Sequence, residues 1–327
     1  MAETAVKNGV QLHLDTEVTG IDKTQDGFRV HTGRRAYDCR YVVNAAGVHA
    51  DKVHNMVSKP SFSIIPDRGE YFLLDKSERA TVNHVVFQCP THVGKGTLVS
   101  PTVHGNLIVG PNNESPDDAE DTSTTPPGLK NVREMAQKSV PSVNLGANIR
   151  TFSGVRAMSD IDDFIISIPE DTPGFIDLAG IKSPGLTAAP AIARMAVALL
   201  KECGIALQEK DSFVETRKKM RFAELPIEEK QRLTKENPAY GRVICRCETV
   251  TEGEIADTFL TLIPPRSVEG VKRRCNAGMG RCQGGFCSPR IVELLARKWG
   301  ISPLDIPLGR KGSVILVSET KGGRTNA

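Results

Sequence analysis

With 327 residues, 39% of them apolar and 25% charged, the chain has the make-up of globular material and the length of roughly two domains. Its 42 basic and 39 acidic residues are too evenly matched for a chain that binds nucleic acid over its whole surface. Apolar runs such as Met195–Leu200 fall far short of the roughly 20 residues that cross a bilayer, and Met1–Lys7 lacks the basic start and apolar stretch of a signal peptide. The chain therefore reads as cytoplasmic, with peripheral membrane association left open.

In chain order, Gln11–Leu14 reads as a strand, and Val18–Asp22 leads through an Asp26-Gly27 turn to a return strand at Phe28–His31. Tyr41–Asn44 is a buried-strand run that ends at Ala45-Ala46-Gly47. Short strands so close together form a meander, which needs a covering layer. Nothing before it in the sequence supplies one, so the expectation is a fragment or a chain that works with a separate polypeptide. Strands follow at Phe62–Ile65, Glu70–Leu74, His84–Phe87, Thr97–Ser100 and Asn106–Val109. Asn112–Thr125 is an acidic surface loop and Leu129–Ser139 a helix, before strands at Ile149–Met158, Phe164–Ile168 and Phe175–Ala179. Gly180–Thr187 reads as a loop. The helix after it, from about Pro190 to Cys203, sets Ile192, Met195, Ala196, Leu199 and Leu200 on one face. Glu209–Asn237 is charged and reads as a connecting helix or linker.

Five of the eight cysteines crowd into the 43 residues from Cys245 to Cys287, which in a reducing compartment argues for a metal or redox site. The pattern is Cys245-x-Cys247, a gap of 34 residues, then Cys282-x4-Cys287. Thr251 and Glu254 make a capping box ahead of Ile255, Phe259 and Leu262. Ser288-Pro289 reads as the N-cap and first residue of a helix carrying Ile291, Leu294, Leu295 and Trp299. Cys287 then sits at a helix N-terminus, where thiolate is stabilised. Arg246, Lys272, Arg273, Arg274, Arg281 and Arg290 answer the negative charge of a cluster. Gly278, Gly280, Gly284 and Gly285 let backbone N–H groups approach sulfur. Zinc sites usually space cysteines two to four residues apart, which this pattern does not follow, and inert thiols are the other alternative. Cys275 is a fifth candidate, read as a spare.

These residues are recognisable. Arg242–Pro303 resembles the bacterioferritin-associated-ferredoxin type of 2Fe–2S domain. The run Val271–Cys287, with its Cys-Gln-Gly-x-x-Cys, is similar to the version fused to anaerobic glycerol-3-phosphate dehydrogenases and related flavoproteins. That resemblance implies Cys245, Cys247, Cys282 and Cys287 as the cluster ligands and none at Cys275. Met1–Gly204 resembles the C-terminal two-thirds of FAD-dependent oxidoreductases of the D-amino-acid-oxidase superfamily. The residues that carry the likeness are Tyr41-Val-Val-Asn-Ala-Ala-Gly47, Ser153-Gly-Val-Arg156 and Gly180-Ile-Lys-Ser-Pro-Gly-Leu-Thr187.

The resemblance implies a mixed α+β and α/β fold: a partial FAD-binding domain, an antiparallel substrate-domain sheet and a small, mainly helical 2Fe–2S domain. The expected boundaries are 1–58 and 151–205 for the FAD-binding part, 59–150 for the substrate sheet, 206–240 for a linker, 241–306 for the cluster domain and 307–327 for a tail. Asn44, Ala46, Gly47, Gly154, Gly180, Ile181, Lys182, Ser183, Gly185, Leu186 and Thr187 would line the flavin. On the residues alone, glycine turns that simply close a strand are the preferred reading of these segments, since such turns are common. Arg156 is the leading catalytic-site residue, a guanidinium suited to a carboxylate or phosphate, with an ion pair to Asp160 or Asp162 as the alternative. Arg68 and Lys182 are the other catalytic candidates, Lys182 also as a positive charge beside the flavin. His49, His92 and His104 are candidate bases, although a lone histidine is more often structural.

One feature departs from the superfamily. No strand leads into a Gly-x-Gly-x-x-Gly here; Gly278–Gly284 has the wrong spacing, and Gly94-Lys95 lacks the earlier glycine of a P-loop. The FAD site is therefore expected to be only partly present, completed by an N-terminal segment or partner subunit, with weak or no FAD binding by the chain alone. The implied activity is oxidation of a small anionic alcohol, glycerol 3-phosphate first, by hydride transfer to FAD, with electrons passing to the cluster and on to an external acceptor. A 2-hydroxy acid or an amino acid is the alternative substrate. A non-catalytic electron-transfer or assembly subunit is the alternative function.

Overall fold

Asp26 and Gly27 close the first hairpin. In the computed structural model, which describes residues 1–89, 96–217, 220–310 and 312–321, β1 (Val18–Thr24) pairs antiparallel with β2 (Gly27–Thr32), and β3 (Ala36–Cys39) returns along β2. Gln11–Leu14 is not a strand, and a short helix, α1 (Ala2–Lys7), lies before it. Ile21 and Phe28, on the meander's apolar side, are buried against Phe175, with Val53 and Met56 packed on the same cluster. The cover for the meander thus comes from later in this chain, not from the separate polypeptide the sequence reading invoked.

The chain divides into two units, His13–Glu209 and Met1–Leu12 together with Lys210–Ala327. Met1–Leu12 thus groups with the cysteine-bearing unit, apart from the rest of the 1–58 stretch. Within that unit Glu3 pairs with Arg217 and lies 3.7 Å from Arg274 Nε, and the Asn8 amide donates to the Val214 carbonyl at 2.9 Å.

In the first unit, β4 (Val42–Asn44) runs into α2 (Ala50–His54) through a tight turn. A separate four-stranded antiparallel sheet has the order β6-β7-β5-β8, from β5 (Ile64–Leu74), β6 (Leu98–Pro101), β7 (Leu107–Gly110) and β8 (Asn148–Ser159). The predicted strand at His84–Phe87 reduces to one bridge, Val86 to Val99. One face of the sheet is covered by α3 (Pro126–Ser139). That helix starts three residues before the predicted Leu129, because the Thr125 hydroxyl accepts from the Gly128 N–H and proline opens the first turn. Val132 and Ala136 are fully buried against Phe72, Leu74, Val99, Leu107 and Val109. Full burial of a valine, leucine or phenylalanine side chain here contributes about 1.5–3 kcal/mol of transfer free energy.

A third sheet sets β4 parallel to β10 (Phe175–Ala179), with β9 (Ile165–Ser167) antiparallel on the other edge. After β10 comes α4 (Gly185–Glu202), which begins five residues before the predicted Pro190 and takes that proline inside its second turn. Of the predicted apolar face only Ile192 and Ala196 are buried, and Met195 is 49% exposed, because α4 lies on the sheet along a narrow line.

In the second unit α5 (Ile227–Glu236) lies in the stretch read as linker. A small ribbon of β11 (Val243–Cys245) and β12 (Val250–Thr251) leads into α6 (Glu252–Thr258), with the Thr251–Glu254 capping box formed as the spacing predicts. The helix stops at Thr258, which leaves Leu262 exposed while Ile255 and Phe259 are buried. Next come α7 (Val268–Cys275) and α8 (Ser288–Trp299). The sequence reading missed α7, although Ser267 caps its start and Asn276 ends it in the left-handed region. Cys287, not Ser288, is the N-cap of α8. Ile255, Val271, Ile291, Leu295 and Ile306 form this unit's core. The fold class is the mixed helical and sheet architecture the sequence implied. Among the described residues no helix is long and apolar enough to cross a membrane.

Candidate functional site

Four cysteines meet in the second unit. Cys245 ends β11 and Cys247 follows it, while Cys282 and Cys287 arrive on the glycine-rich loop ahead of α8. Cys247 Sγ lies 3.6 Å from Cys282 Sγ, and Cys287 hydrogen-bonds Cys245. Each pair therefore takes one member from Cys-x-Cys and one from Cys-x4-Cys. Cys245 and Cys287 are buried at 1% exposure, whereas Cys247 is exposed and Cys282 half-buried.

Each pair shares a proton unevenly. The Cys287 thiol holds Cys245 down at about 6 against the cost of burial, helped by the Gly278 N–H, which donates to Cys245 Sγ at 3.5 Å. Cys287 is pushed up as the donor in that pair, and burial adds to the effect. Burial pushes Cys282 up, but the Phe286 N–H, the Cys247 thiol and the N–H groups of Gly284 and Gly285 outweigh it and leave it lowered. Gly280 is required by close approach: a Cβ there would stand 2.2 Å from Cys247 Cβ. Cys275 donates to the Val271 carbonyl at 3.4 Å and packs on the core.

These thiols fit a two-iron cluster. A tetrahedral metal with thiolate bonds of about 2.3 Å keeps its sulfurs about 3.7 Å apart, close to the spacing of Cys247 and Cys282. Two pairs suit two irons, and the shared protons would leave as metal binds.

The first unit holds a second arrangement, on the face of the four-stranded sheet opposite α3. Along β5 and β8 three facing pairs follow one another: Tyr71 with Phe152, Gly69 with Gly154, and Asp67 with Arg156. The aromatic rings stack 5.1 Å apart at 9°. Asp67 takes Arg156 Nε on Oδ2 at 3.1 Å and Nη2 on Oδ1 at 3.3 Å, while Nη2 also donates to the Asn112 carbonyl at 3.0 Å. No described partner holds Nη1. Burial pushes the Asp67 carboxyl up, and the charges of Arg156 and Lys182 pull against it. Gly69 is needed for this packing, since a Cβ would come within 2.8 Å of Arg156 Nη2. A Cβ on Gly154 would meet nothing within 4 Å. Between the aromatic pair and the anchored guanidinium the backbone strip is thus open at Gly154, while Gly69 is buried beside Pro111 and Arg156.

The structure thus brings Arg156 and Lys182 together near Asp67, but Arg156 pairs with Asp67 and not with Asp160 or Asp162. Lys182 takes Asp162 instead. Arg68 does not join them. It points to the opposite face of the sheet, 7% exposed, where it pairs with Asp121 and lies 3.6 Å from Glu70 at the start of α3. A side chain enclosed there is not placed to meet a substrate over the glycine strip.

Among the predicted flavin-lining residues, Asn44 is 2% exposed and turns its amide inward, donating to Asp177 Oδ1 and to the Ala50 carbonyl, both at 2.8 Å. It braces the Ala46–Gly47 turn, with the Ala46 N–H on Asn44 Oδ1 at 3.3 Å. His54 completes the cluster, Nδ1 lying 2.7 Å from Asp177 Oδ2 and Nε2 2.9 Å from the Lys59 carbonyl. The sequence reading missed Asp177 and His54; an acid inside the apolar strand Phe-Ile-Asp-Leu-Ala was the available signal. Gly180, Ile181, Lys182 and Ser183 form the turn after β10, while Gly185, Leu186 and Thr187 belong to the first turn of α4 and not to a loop. Of the candidate bases, His49 pairs with Glu120 at 2.8 Å, His104 lies exposed in the β6–β7 turn, and His92 falls outside the described residues, as does Gly94-Lys95.

Residues 1–199 match the family described as FAD dependent oxidoreductase, and residues 243–297 match the BFD-like [2Fe-2S] binding domain. A glycerol 3-phosphate dehydrogenase of Caloramator mitchellensis is 47% identical over 322 residues, covering 98% of this chain and 67% of the relative. A glycerol 3-phosphate oxidase of Mycoplasma pneumoniae is 36% identical over 206 residues, 61% of this chain and 54% of the relative. The solved L-alpha-glycerophosphate oxidase of Mycoplasma pneumoniae, reduced with dithionite and with FAD bound, superposes with a TM-score of 0.60 at 35% identity, covering 65% of this chain and 56% of that one. The chain thus spans between about half and two thirds of the length of these relatives. It belongs to the FAD-dependent oxidoreductase family and joins to that family's domain a BFD-like [2Fe-2S] domain.

Proposed function

We propose that the chain serves as a glycerol-3-phosphate dehydrogenase, oxidising a small anionic alcohol at the open face of the β5–β8 sheet and passing electrons to a 2Fe–2S cluster held by Cys245, Cys247, Cys282 and Cys287. The observation that carries the reading is the ladder of Tyr71–Phe152, Gly69–Gly154 and Asp67–Arg156. An anchored guanidinium with one free edge, beside backbone left open at Gly154, is suited to orient a phosphate or carboxylate. The names of the two relatives above favour the phosphate.

When bound, FAD accepts a hydride and the cluster takes up single electrons. What this chain's own residues contribute is binding and orientation. Asp67 and the Asn112 carbonyl fix the guanidinium plane of Arg156, and Lys182 adds a second positive charge. The Tyr71–Phe152 stack walls the strip on its apolar side. The Ala46–Gly47 turn and the Gly180–Thr187 segment would lie along FAD, with the rest of its site supplied by a further segment or a partner. Eight free thiols suit a reducing, cytoplasmic setting.

The test is anaerobic purification of the chain, iron and sulfide analysis, then mixing with FAD and glycerol 3-phosphate. Bleaching of flavin absorbance that is lost in Arg156→Ala supports the reading. A redox-active cluster with no bleaching, even when a flavin-binding partner is supplied, overturns it in favour of a non-catalytic electron-transfer subunit. Replacing glycerol 3-phosphate with 2-hydroxyglutarate or an amino acid separates the substrate classes.

A further inference from the structure

The two thiol pairs differ in their access to solvent. Cys245 and Cys287 are enclosed by the core, while Cys247 and Cys282 reach the surface. The loop around the outer pair carries apolar side chains that nothing among the described residues covers. Phe286 is 83% exposed and Met279 is 40% exposed, whereas Ala277, Ile291, Val292 and Leu295 nearby are buried. Both lie hard against the outer sulfurs: the Phe286 N–H is directed at Cys282, and Met279 adjoins Gly280, which packs on Cys247.

The surroundings are basic. Residues 242–300 hold ten lysines and arginines against six acids. The acids are engaged inside the unit: Glu252 with Arg242, Glu269 with Arg273, Glu293 with Arg290, Asp257 with Tyr240, Glu254 in the capping box, and Glu248 with a partner of its own. Arg246 and Arg281, each next in sequence to an outer thiol, stand exposed at the rim, Arg281 with a partner of its own.

We propose that this loop cap, with Phe286 and Met279 at its centre and Arg246 and Arg281 at its rim, is the docking surface for a separate electron-transfer protein whose contact face is acidic around an apolar centre. An apolar centre inside a charged rim is the anatomy of a specific interface, and redox encounters use small ones, below about 1,200 Å². Charge of opposite sign speeds such encounters and weakens with salt. A partner seated here meets the more accessible sulfur pair, the shortest way out for an electron. One electron would leave the reduced cluster for the partner's oxidised cofactor, with no bond made or broken.

The inference rests on the reading that these thiols hold a cluster, so the test first requires the cluster's visible absorbance in the full chain. Its absence would defeat that reading and the inference with it. With the cluster present, binding of flavodoxin as an acidic probe and of cytochrome c as a basic one is measured by calorimetry at low and high salt. Flavodoxin is expected to bind, and Arg246→Glu with Arg281→Glu to weaken it about tenfold at low salt only. Phe286→Ala should weaken it about fivefold at both salts and leave absorbance unchanged. The proposal is overturned if flavodoxin does not bind, if cytochrome c binds as well, or if the variants keep wild-type affinity. An arginine effect confined to the midpoint potential would also overturn it, by assigning the charges to the cluster alone. A photocrosslinker at position 286 that attaches to residues 13–209 of the same chain would do so too, since the cap would then face the chain's own flavin unit.

Discussion

Arg156 Nε stands 3.1 Å from Asp67 Oδ2, directly across the β5–β8 ladder from it. The pair is lopsided: Asp67 is 5% exposed at its side chain and Arg156 27%. The acid is the buried half and the guanidinium the half that meets the open strip. Removing the acid should therefore loosen the base without removing it. Asp67→Ala is expected to cost about 1–3 kcal/mol in urea unfolding, below the 3–5 kcal/mol of a fully buried pair because water screens Arg156. An unchanged unfolding midpoint would show that the pair does not hold this face.

Asp171 offers a pH test that involves none of the proposed site residues. The Ser58 hydroxyl, the Lys59 N–H at 3.0 Å and the Thr172 hydroxyl at 3.2 Å all donate to it, and hold its carboxyl at about 2. An unfolded aspartate titrates near about 3.9. A carboxylate with a depressed folded value contributes stability above its unfolded pKa, and loses it as pH falls through the folded one. Between about pH 4 and pH 2 the wild type should therefore lose more stability than Asp171→Asn, read as the shift in urea midpoint. Parallel curves for the two proteins would refute the assignment.

The Asn44–Asp177–His54 cluster should be among the costliest polar sites to break. All three side chains are at most 2% exposed. Asp177→Ala leaves one buried N–H of the Asn44 amide and the buried Nδ1 of His54 without a partner, and should destabilise the first unit by about 3–5 kcal/mol. Thermal melting of the variant measures this, and a loss under about 1 kcal/mol would mean that water replaces the carboxylate.

Gly280 tests the cysteine centre through backbone space instead of a ligand. A methyl group there meets Cys247 Cβ, which cannot move without displacing the outer thiol. Gly280→Ala is expected to lose at least half of the iron and sulfide per chain, while Cys275→Ser keeps both. Full cluster content in the glycine variant would contradict this packing, and loss in Cys275→Ser would make that residue a ligand.

Much of the cysteine centre was legible in the chain because its elements carry their own local rules. A capping box needs only Thr251 and Glu254 three residues apart, and Asp26-Gly27 turns a hairpin wherever it occurs. The strands β8 and β10 followed from alternation and apolar runs in the same way, whereas the fold class came from the resemblance carried by Tyr41–Gly47, Ser153–Arg156 and Gly180–Thr187. Helix starts were less legible. Gly185 opens α4 although Pro190 looks like the natural first residue, since a proline within the second turn breaks only one backbone bond there.

What the sequence determined by itself was the presence of four cysteines in a cluster-like pattern and of an arginine suited to an anion. Which sulfur faces which, and which pair meets solvent, depends on the loop before α8 folding back on β11 across more than thirty residues, a long-range contact no spacing rule contains. The same holds for Arg68 and Arg156. Both are arginines on neighbouring strands, yet the two-residue alternation of a strand and the position of α3 send one into an acidic pocket and the other to the open face. Chemistry is written residue by residue, but the side of a sheet that stays uncovered is decided only when the layers pack.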